Sequence, residues 1–287
     1  MEDYGPAKVR REDGLSSTTA PIYYINLATR PDRREFMERQ FSALGLTVER
    51  INAVTPTDLT DDQKRRFCDP RRFPWLSEAE LSCSLSHVRA FEAIIASGEP
   101  FGVVLEDDVV LSVRLPDFLA KFTAAPHEVD ILRLEADLKS LNISPDEPHR
   151  IGGVSLHKVL SWSSGAAGYV ISRRGALRAI ETNWIRETPA DEALFNPFKP
   201  LLRGNLVLLL SDPALCIQTE RLESATGHAS DLVNGRAYRQ QIDRSGFPRR
   251  IIRGLRLRYD RDVRMGVQKT WHQVIGGARK RYIRYEP

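Results

Sequence analysis

Phe101 to Leu105 is an uninterrupted apolar run, and it passes directly into Glu106-Asp107-Asp108. A short run without polar alternation suits a strand covered on both faces, the kind found in parallel sheets between two layers of helices. Three successive carboxylates at the end of such a strand repel one another, and the arrangement is costly unless a cation compensates it. Ligands of open α/β sheets collect outside the carboxyl ends of the strands. Hard divalent cations take oxygen ligands and accept bound phosphates in their shell. The pattern therefore implies Mg²⁺ or Mn²⁺ carrying a diphosphate, with a solvated acidic turn as the competing reading. Alternation puts Glu106 and Asp108 on one side and Asp107 on the other. Asp108 is assigned to the metal, and Glu106 to a ribose or to the metal through water.

The flanking sequence repeats the same architecture. Pro21 to Leu27 reads as a buried strand. Pro31 suits the first position of a helix carrying Phe36, Gln40, Phe41 and Leu44 at helical spacing, and Gly45 suits its end. Val48 to Ile51 is a second strand, which completes a β-α-β unit and predicts a parallel sheet. Residues 55–76, with Pro56, Pro70 and Pro74, read as irregular. Ser77-Glu-Ala-Glu80 is a capping box that opens a helix running to about Ser97 and stopping at Gly98. Further strands are expected over Asp130 to Leu134, Ser155 to Trp162, Tyr169 to Ile171 and Leu206 to Leu210. Helices are expected over Arg174 to Asn183 and from Pro189 through Phe195. The expected organisation is an N-terminal disordered leader (1–20), one α/β domain with a mainly parallel central sheet (21–235), and a basic, partly helical C-terminal extension (236–287).

Charge separates the last two parts. Residues 236–287 hold 15 Lys and Arg against 4 Asp and Glu, a net +11, which leaves −7 for residues 1–235 of the total of +4. A basic segment next to an acidic domain points to two different partners. In Gly246 to Tyr259 arginines interleave with Phe247, Ile251, Ile252, Leu255, Leu257 and Tyr259. This pattern suits an anionic membrane surface, or packing on the acidic domain. No apolar run approaches the roughly 18–20 residues of a spanning helix, and residues 1–20 lack the apolar core of a signal peptide. Both features suit a cytoplasmic protein held peripherally on the inner face of the membrane. The three cysteines, Cys68, Cys83 and Cys216, are widely spaced and form no Cys-x-x-Cys. They argue against a disulfide framework or a zinc knuckle and read as small buried hydrophobes.

Two further clusters stand near strand ends or on a helix face. Asn26, Leu27, Arg30, Asp32 and Arg33 follow the first strand, where arginines at a helix N-terminus can hold a base or diphosphate; helix capping and surface charge explain them equally well. No Gly-x-Gly-x-x-Gly or Walker loop is present. In the capped helix, His87 lies seven residues after Glu80 and so on the same face, as a site residue or as a packing histidine. Ser163-Ser164-Gly165-Ala-Ala-Gly168 is a tight small-residue stretch.

In order along the chain, these segments resemble glycosyltransferase family 25, the lipopolysaccharide-biosynthesis transferases. The resemblance covers about residues 21–225. It is carried by Ile25-Asn-Leu-x-x-Arg30-x-Asp32-Arg33, Glu80-Leu-Ser-Cys83-Ser-Leu-Ser86-His87 (Ser82 standing where the family usually has glycine), Leu105-Glu106-Asp107-Asp108, Ser164-Gly-Ala-Ala-Gly-Tyr169, Pro189-Ala-Asp191 and Pro213-x-Leu215-x-x-Gln218. The resemblance implies a GT-A fold, a UDP-sugar donor (galactose or glucose), Mn²⁺ or Mg²⁺, and inversion at the anomeric carbon, with a lipopolysaccharide-type carbohydrate as acceptor; a lipid-linked acceptor would account for the basic tail. Asn26, Leu27, Arg30, Arg33, His87, Glu106, Asp107, Ser164 and Gly165 then become candidates for holding the donor. Asp108 and Glu106 become candidates for the metal, with His228 as a C-terminal ligand. Asp191, at a helix start near the small-residue wall, is the candidate general base; N-capping that helix is its alternative role. A nucleotidyltransferase on a similar sheet would carry a Gly- and Lys-rich loop after the first strand, where Asn26-Leu27-Ala28-Thr29 stands. A nucleic-acid-binding protein would leave the acidic strand end unexplained, and no nucleic acid is expected.

Overall fold

The computed structural model describes residues 20–72, 74–137, 139–182, 184–197, 206–222 and 277–287. The chain opens with the expected unit: β1 (Ile22–Asn26), α1 (Pro31–Ala43) and β2 (Val48–Asn52). β1 and β2 pair in parallel, from Ile22 opposite Val48 to Asn26 opposite Asn52. Pro31 is the first helical residue of α1, and Gly45 beyond its end takes φ +62°, a conformation that glycine adopts without a Cβ penalty.

The stretch read as irregular contains a helix, α2 (Asp61–Phe67). Thr60 accepts from Gln63 N and the Gln63 side chain returns to Thr60 N, a Thr-x-x-Gln box between the prolines that bracket it. α3 (Glu78–Ser97) starts on the Ser77–Glu80 box and ends at Gly98, φ +76°. Next come β3 (Phe101–Glu106), β4 (Val109–Leu111), α4 (Leu115–Ala124), β5 (Ile131–Arg133), β6 (Ser140–Ile143), β7 (His149–Ile151), β8 (Val154–Lys158) and β9 (Gly168–Ser172). After them lie α5 (Arg173–Glu181), α6 (Trp184–Glu187), α7 (Ala190–Phe195), β10 (Leu208–Asp212), β11 (Cys216–Gln218) and β12 (Arg279–Tyr282). β8 is shorter than the expected Ser155 to Trp162, because the chain leaves the sheet after Lys158 and Trp162 stands exposed.

Eight strands form one sheet in the order β2-β1-β3-β9-β5-β10-β8-β7. Six run the same way, so the sheet is mainly parallel; β9 and β8 are reversed. The fold is therefore mixed α/β around a large central sheet. Period-2 alternation sends Val103 and Leu105 of β3 to the face covered by Met37 and Phe41 of α1 and Phe118 and Phe122 of α4. Val104 goes to the opposite face, against Phe91 and Ile94 of α3. Both faces are thus covered, as the unbroken apolar run requires.

Reversal of β9 positions the site. It pairs with β3 antiparallel, with Gly168 opposite Leu105, so the small-residue run preceding β9 arrives beside the carboxyl end of β3. Gly168 is needed there: a Cβ would stand 2.2 Å from Cys216 Sγ.

The end of the chain joins the domain. β12 pairs antiparallel with β6 in a separate two-stranded sheet, and Ile283 is buried with Leu141, Val159, Leu210 and Ile217. Arg281 pairs with Asp212, and Arg114 with Glu286 at 2.5 Å. Residues 277–287, grouped by charge with the basic extension, therefore pack on the domain, because Ile283 has an apolar cleft to fill and β6 an edge to pair. Residues 1–19 of the expected leader (1–20), His228 and the arginine-rich stretch 246–259 lie outside the described residues, whereas Ala20 is buried. No helix among the described residues is long and apolar enough to cross a membrane.

Candidate active site

At the end of β3 the three carboxylates meet different surroundings. Asp107 is buried and engaged on both oxygens: Asn26 Nδ2 donates to Oδ2 at 2.7 Å and Arg33 NH1 to Oδ1 at 2.9 Å. Asn26 Nδ2 also reaches Arg30 O, and Asn26 Oδ1 accepts from Arg50 NH1. Asn26, Arg33 and Asp107 thus brace the loop after β1 against the end of β3. Arg30 forks onto Asp32 at 2.9 and 3.0 Å. Leu27 is half-buried and forms an apolar wall with Ile25, Ala53, Val54 and Pro56.

Asp108 is buried, and its Oδ1 has no hydrogen-bond partner among the described residues. Burial pushes its carboxyl up to about 8, and the charge of Glu106 adds to the effect; Arg33, 3.7 Å from Oδ2, and a hydrogen bond from Gln218 oppose it. Among the described residues, Arg33 is the guanidinium paired with Asp107 and Asp108.

Glu106 is half-buried on the α3 side, its Oε1 3.4 Å from His87 Nε2. His87 is fully buried and shares a 2.8 Å hydrogen bond between Nδ1 and the Tyr169 hydroxyl. Burial holds the Tyr169 phenol well above its ordinary range, so it stays neutral. Cys83 lies one turn before His87 on the same helix face. Its Sγ, His87 Nε2 and a Glu106 oxygen lie within 4.8 Å of one another.

Across the cleft, the small-residue run is pinned by charges. Ser164 O accepts from Arg133 NH2 at 2.6 Å and from Arg221 NH2 at 3.4 Å. Gly165 takes φ +97°, and a Cβ there would stand 2.5 Å from Glu135 Oε1. Gly165 N donates to Asp191 Oδ2 at 3.2 Å, and Asp191 Oδ1 accepts from Glu192 N at 2.8 Å. Asp191 is the second residue of α7, whose N-cap position is Pro189, so it does not N-cap the helix. Its carboxylate instead holds the small-residue wall.

Arg133, Glu135, Arg221 and Gln218 were not singled out as site residues. Glu135 is fully buried between Arg133 at 3.3 Å and Arg221 at 3.1 Å and accepts from Ala167 N; burial pushes its carboxyl up, against the pull of both guanidiniums. A signal was available: Arg133, at the end of β5, and Glu135, two residues on, alternate with Leu132 and Leu134, which puts two opposite charges on one side of an otherwise apolar extended segment.

These residues line one cleft with two lobes that share Cys83 and Glu106. The larger lobe has a volume of about 220 Å³ between the Leu27 wall, α3 and the three carboxylates. The smaller, about 70 Å³, is bounded by Glu80, Ser164, Gly165, Asp191, Gln218 and Arg221. Of the candidates, Leu27, Arg33, His87, Glu106, Asp107, Asp108, Ser164, Gly165 and Asp191 converge on it, with Asn26 behind Asp107.

Residues 19–194 match the family described as glycosyltransferase family 25 (LPS biosynthesis protein). The lacto-N-neotetraose biosynthesis glycosyltransferase LgtB of Neisseria gonorrhoeae is 27% identical over 206 residues, 68% of this chain and 73% of that protein. The lipooligosaccharide biosynthesis protein lic2B of Haemophilus influenzae is 27% identical over 210 residues, 70% of this chain and 76% of that one. Among solved structures, a glycosyltransferase involved in glycosylation of the major capsid of PBCV-1 aligns over 78% of this chain and 98% of its own, at 12% identity and a TM-score of 0.36.

Proposed function

Since the chain belongs to glycosyltransferase family 25 and is a glycosyltransferase, we propose that it moves a hexose, galactose or glucose, from a UDP-sugar to a carbohydrate acceptor of the lipopolysaccharide type, with inversion at the anomeric carbon. The observation that carries this reading is the meeting of two lobes at an acidic strand end where, among the described residues, Arg33 is the guanidinium paired with Asp107 and Asp108.

The larger lobe has an apolar wall suited to a flat base, and Arg33 and the carboxylates that line it suit a ribose and diphosphate. The metal that the family resemblance implies fits these residues. Asp108 presents a buried oxygen without a hydrogen-bond partner among the described residues, and burial together with the charge of Glu106 pushes its carboxyl up, so a cation there would be favoured. Asp108 and Glu106 would hold Mn²⁺ or Mg²⁺ through hard oxygens, with His228 as a further ligand. Bound there, the ion supplies positive charge to the leaving diphosphate.

The protein's own residues do the rest. Asn26, Arg33 and Asp107 keep the loop after β1 in place. Asp191 opens on the smaller lobe, where the acceptor hydroxyl enters, and takes its proton as the acceptor oxygen bonds to the anomeric carbon and the bond to the diphosphate breaks. Ser164 and Gly165 form a wall thin enough for a sugar to approach. The enzyme works at the inner face of the membrane, where the arginines of 246–259 hold it to anionic lipid beside a lipid-linked acceptor. The test is transfer from a panel of nucleotide sugars with and without chelator. UDP-hexose turnover that chelator abolishes and Mn²⁺ or Mg²⁺ restores is expected. Full activity in excess chelator defeats the metal assignment, and preference for a non-uridine donor defeats the donor assignment.

A further inference from the structure

The wall shared by the two lobes carries a second donor set, of softer character than the oxygens of Asp108. We propose that Cys83, His87 and Glu106 form a binding site for a zinc-class transition metal ion, and that an ion held there closes the junction of the lobes.

The ligand types and their placement both support this. Thiolate, imidazole and carboxylate together suit Zn²⁺, whereas all-oxygen sets suit Mg²⁺ and Mn²⁺. Cys83 and His87 are four residues apart on α3, a spacing that puts two metal ligands on one helix face. Tetrahedral bonds of zinc length separate a nitrogen and an oxygen ligand by about 3.3 Å. His87 Nε2 and Glu106 Oε1 are already 3.4 Å apart. All three ligand atoms lie within 4.8 Å, so any closing movement falls to the sulfur, which turns about one side-chain bond.

A second observation points to the same place. His87 is fully buried, and its Nε2 has no hydrogen-bond partner among the described residues. Its Nδ1 is bonded to the Tyr169 hydroxyl at 2.8 Å. Metal-bound histidines are commonly oriented in this way: the far nitrogen donates to an oxygen, which fixes the tautomer and turns the near lone pair toward the ion.

The other two thiols do not compete. Cys216 is fully buried and Cys68 is pushed up to about 11 by burial, and neither lines the cleft. Binding requires no redox partner: Zn²⁺ takes the Cys83 sulfur as thiolate and the thiol proton passes to solvent. The three protein ligands leave a fourth position facing the cleft. Because Glu106 belongs to both donor sets, an ion on Cys83 and His87 draws Glu106 from the Asp108 site. This blocking role rests on the proposed donor reading of the cleft; the metal site does not.

The experiment uses the full chain and Co²⁺ as a spectroscopic stand-in for Zn²⁺. One equivalent should give thiolate-to-cobalt charge-transfer absorption, displaced by Zn²⁺. Cys83→Ser should abolish the band. Tyr169→Phe, which keeps the ring and removes only the hydroxyl, should weaken Zn²⁺ binding by about 10–100-fold. Asp108→Asn should retain the band. The site is overturned if the full chain shows no thiolate band, if the band survives in Cys83→Ser, or if it disappears in Asp108→Asn. Zn²⁺ should also inhibit transfer in competition with the nucleotide sugar; transfer unchanged at concentrations that develop the band overturns the blocking role. The absorption reads the ligands directly, so it remains decisive even for a protein that proves to use a different donor.

Discussion

Asp108→Asn removes a negative charge from a buried position and changes the shape of the side chain very little. In the metal-free protein the Asp108 carboxyl is pushed up to about 8 by burial and by Glu106, whereas an unfolded chain titrates it near 3.9. The folded state therefore holds the proton more tightly. Between about pH 4 and pH 8 the native state carries a proton that the unfolded state has lost, so stability falls as pH rises through that window. A separation of about four units sets a ceiling of about 5 kcal/mol. Relaxation around the buried charge and entry of water reduce this, so an effect of about 2–4 kcal/mol at pH 8 is expected. The Asn side chain stays neutral and lacks this loss. The assay is thermal unfolding in chelator from pH 5 to pH 8.5. Wild type should lose melting temperature across the range by about 2–4 °C per kcal/mol for a chain of this size, and the variant should lose less. Mn²⁺ should then stabilise wild type at pH 8 and leave Asp108→Asn nearly unmoved. Identical pH profiles for the two proteins, or a variant less stable than wild type at pH 8, would refute the reasoning.

Asp191→Asn should lower transfer by roughly 10²–10⁴-fold, the usual worth of a general base, while metal binding persists. The amide cannot accept from both Gly165 N and Glu192 N, so a stability cost of about 1–3 kcal/mol should accompany it; near-normal turnover well below the melting temperature would point to a purely structural carboxylate. Gly165→Ala should destabilise by about 3 kcal/mol, since its Cβ meets Glu135 Oε1 at 2.5 Å and φ is +97°; denaturant unfolding with no change of midpoint would contradict this. Replacing the arginines at 249, 250, 253, 256 and 258 with glutamine should release the protein from anionic liposomes in a sedimentation assay, without loss of fold. Truncation at residue 235 is the poorer test, because it also removes β12 and the buried Ile283; equal pelleting of wild type and the glutamine variant would end the membrane reading.

The amino-acid sequence alone determined what depends on neighbours within a few residues. The Ser77–Glu80 box, the stop at Gly98, the β1-α1-β2 unit and the apolar run of β3 are local patterns, since helix caps and strand periodicity are read over spans of one to five residues. Glu106-Asp107-Asp108 was legible for the same reason: three charges in succession after a buried strand have few interpretations. Thr60-x-x-Gln63 was equally local and was obscured by the prolines around it. Tertiary structure decided the rest. Nothing local in Tyr169 to Ile171 says that β9 runs against β3, yet that direction brings Gly165 and Asp191 to the cleft. The pairing of Glu135 with Arg221, 86 positions away, and of His87 with Tyr169, 82 positions away, depends on which strand edges lie side by side. So does the different fate of three adjacent carboxylates: α1 supplies a guanidinium to Asp107, α3 an imidazole to Glu106, and Asp108 Oδ1 finds no hydrogen-bond partner among the described residues. A carboxylate's charge state follows from burial and from the groups packed around it, and those are properties of the packed layers rather than of the residue's position in the chain.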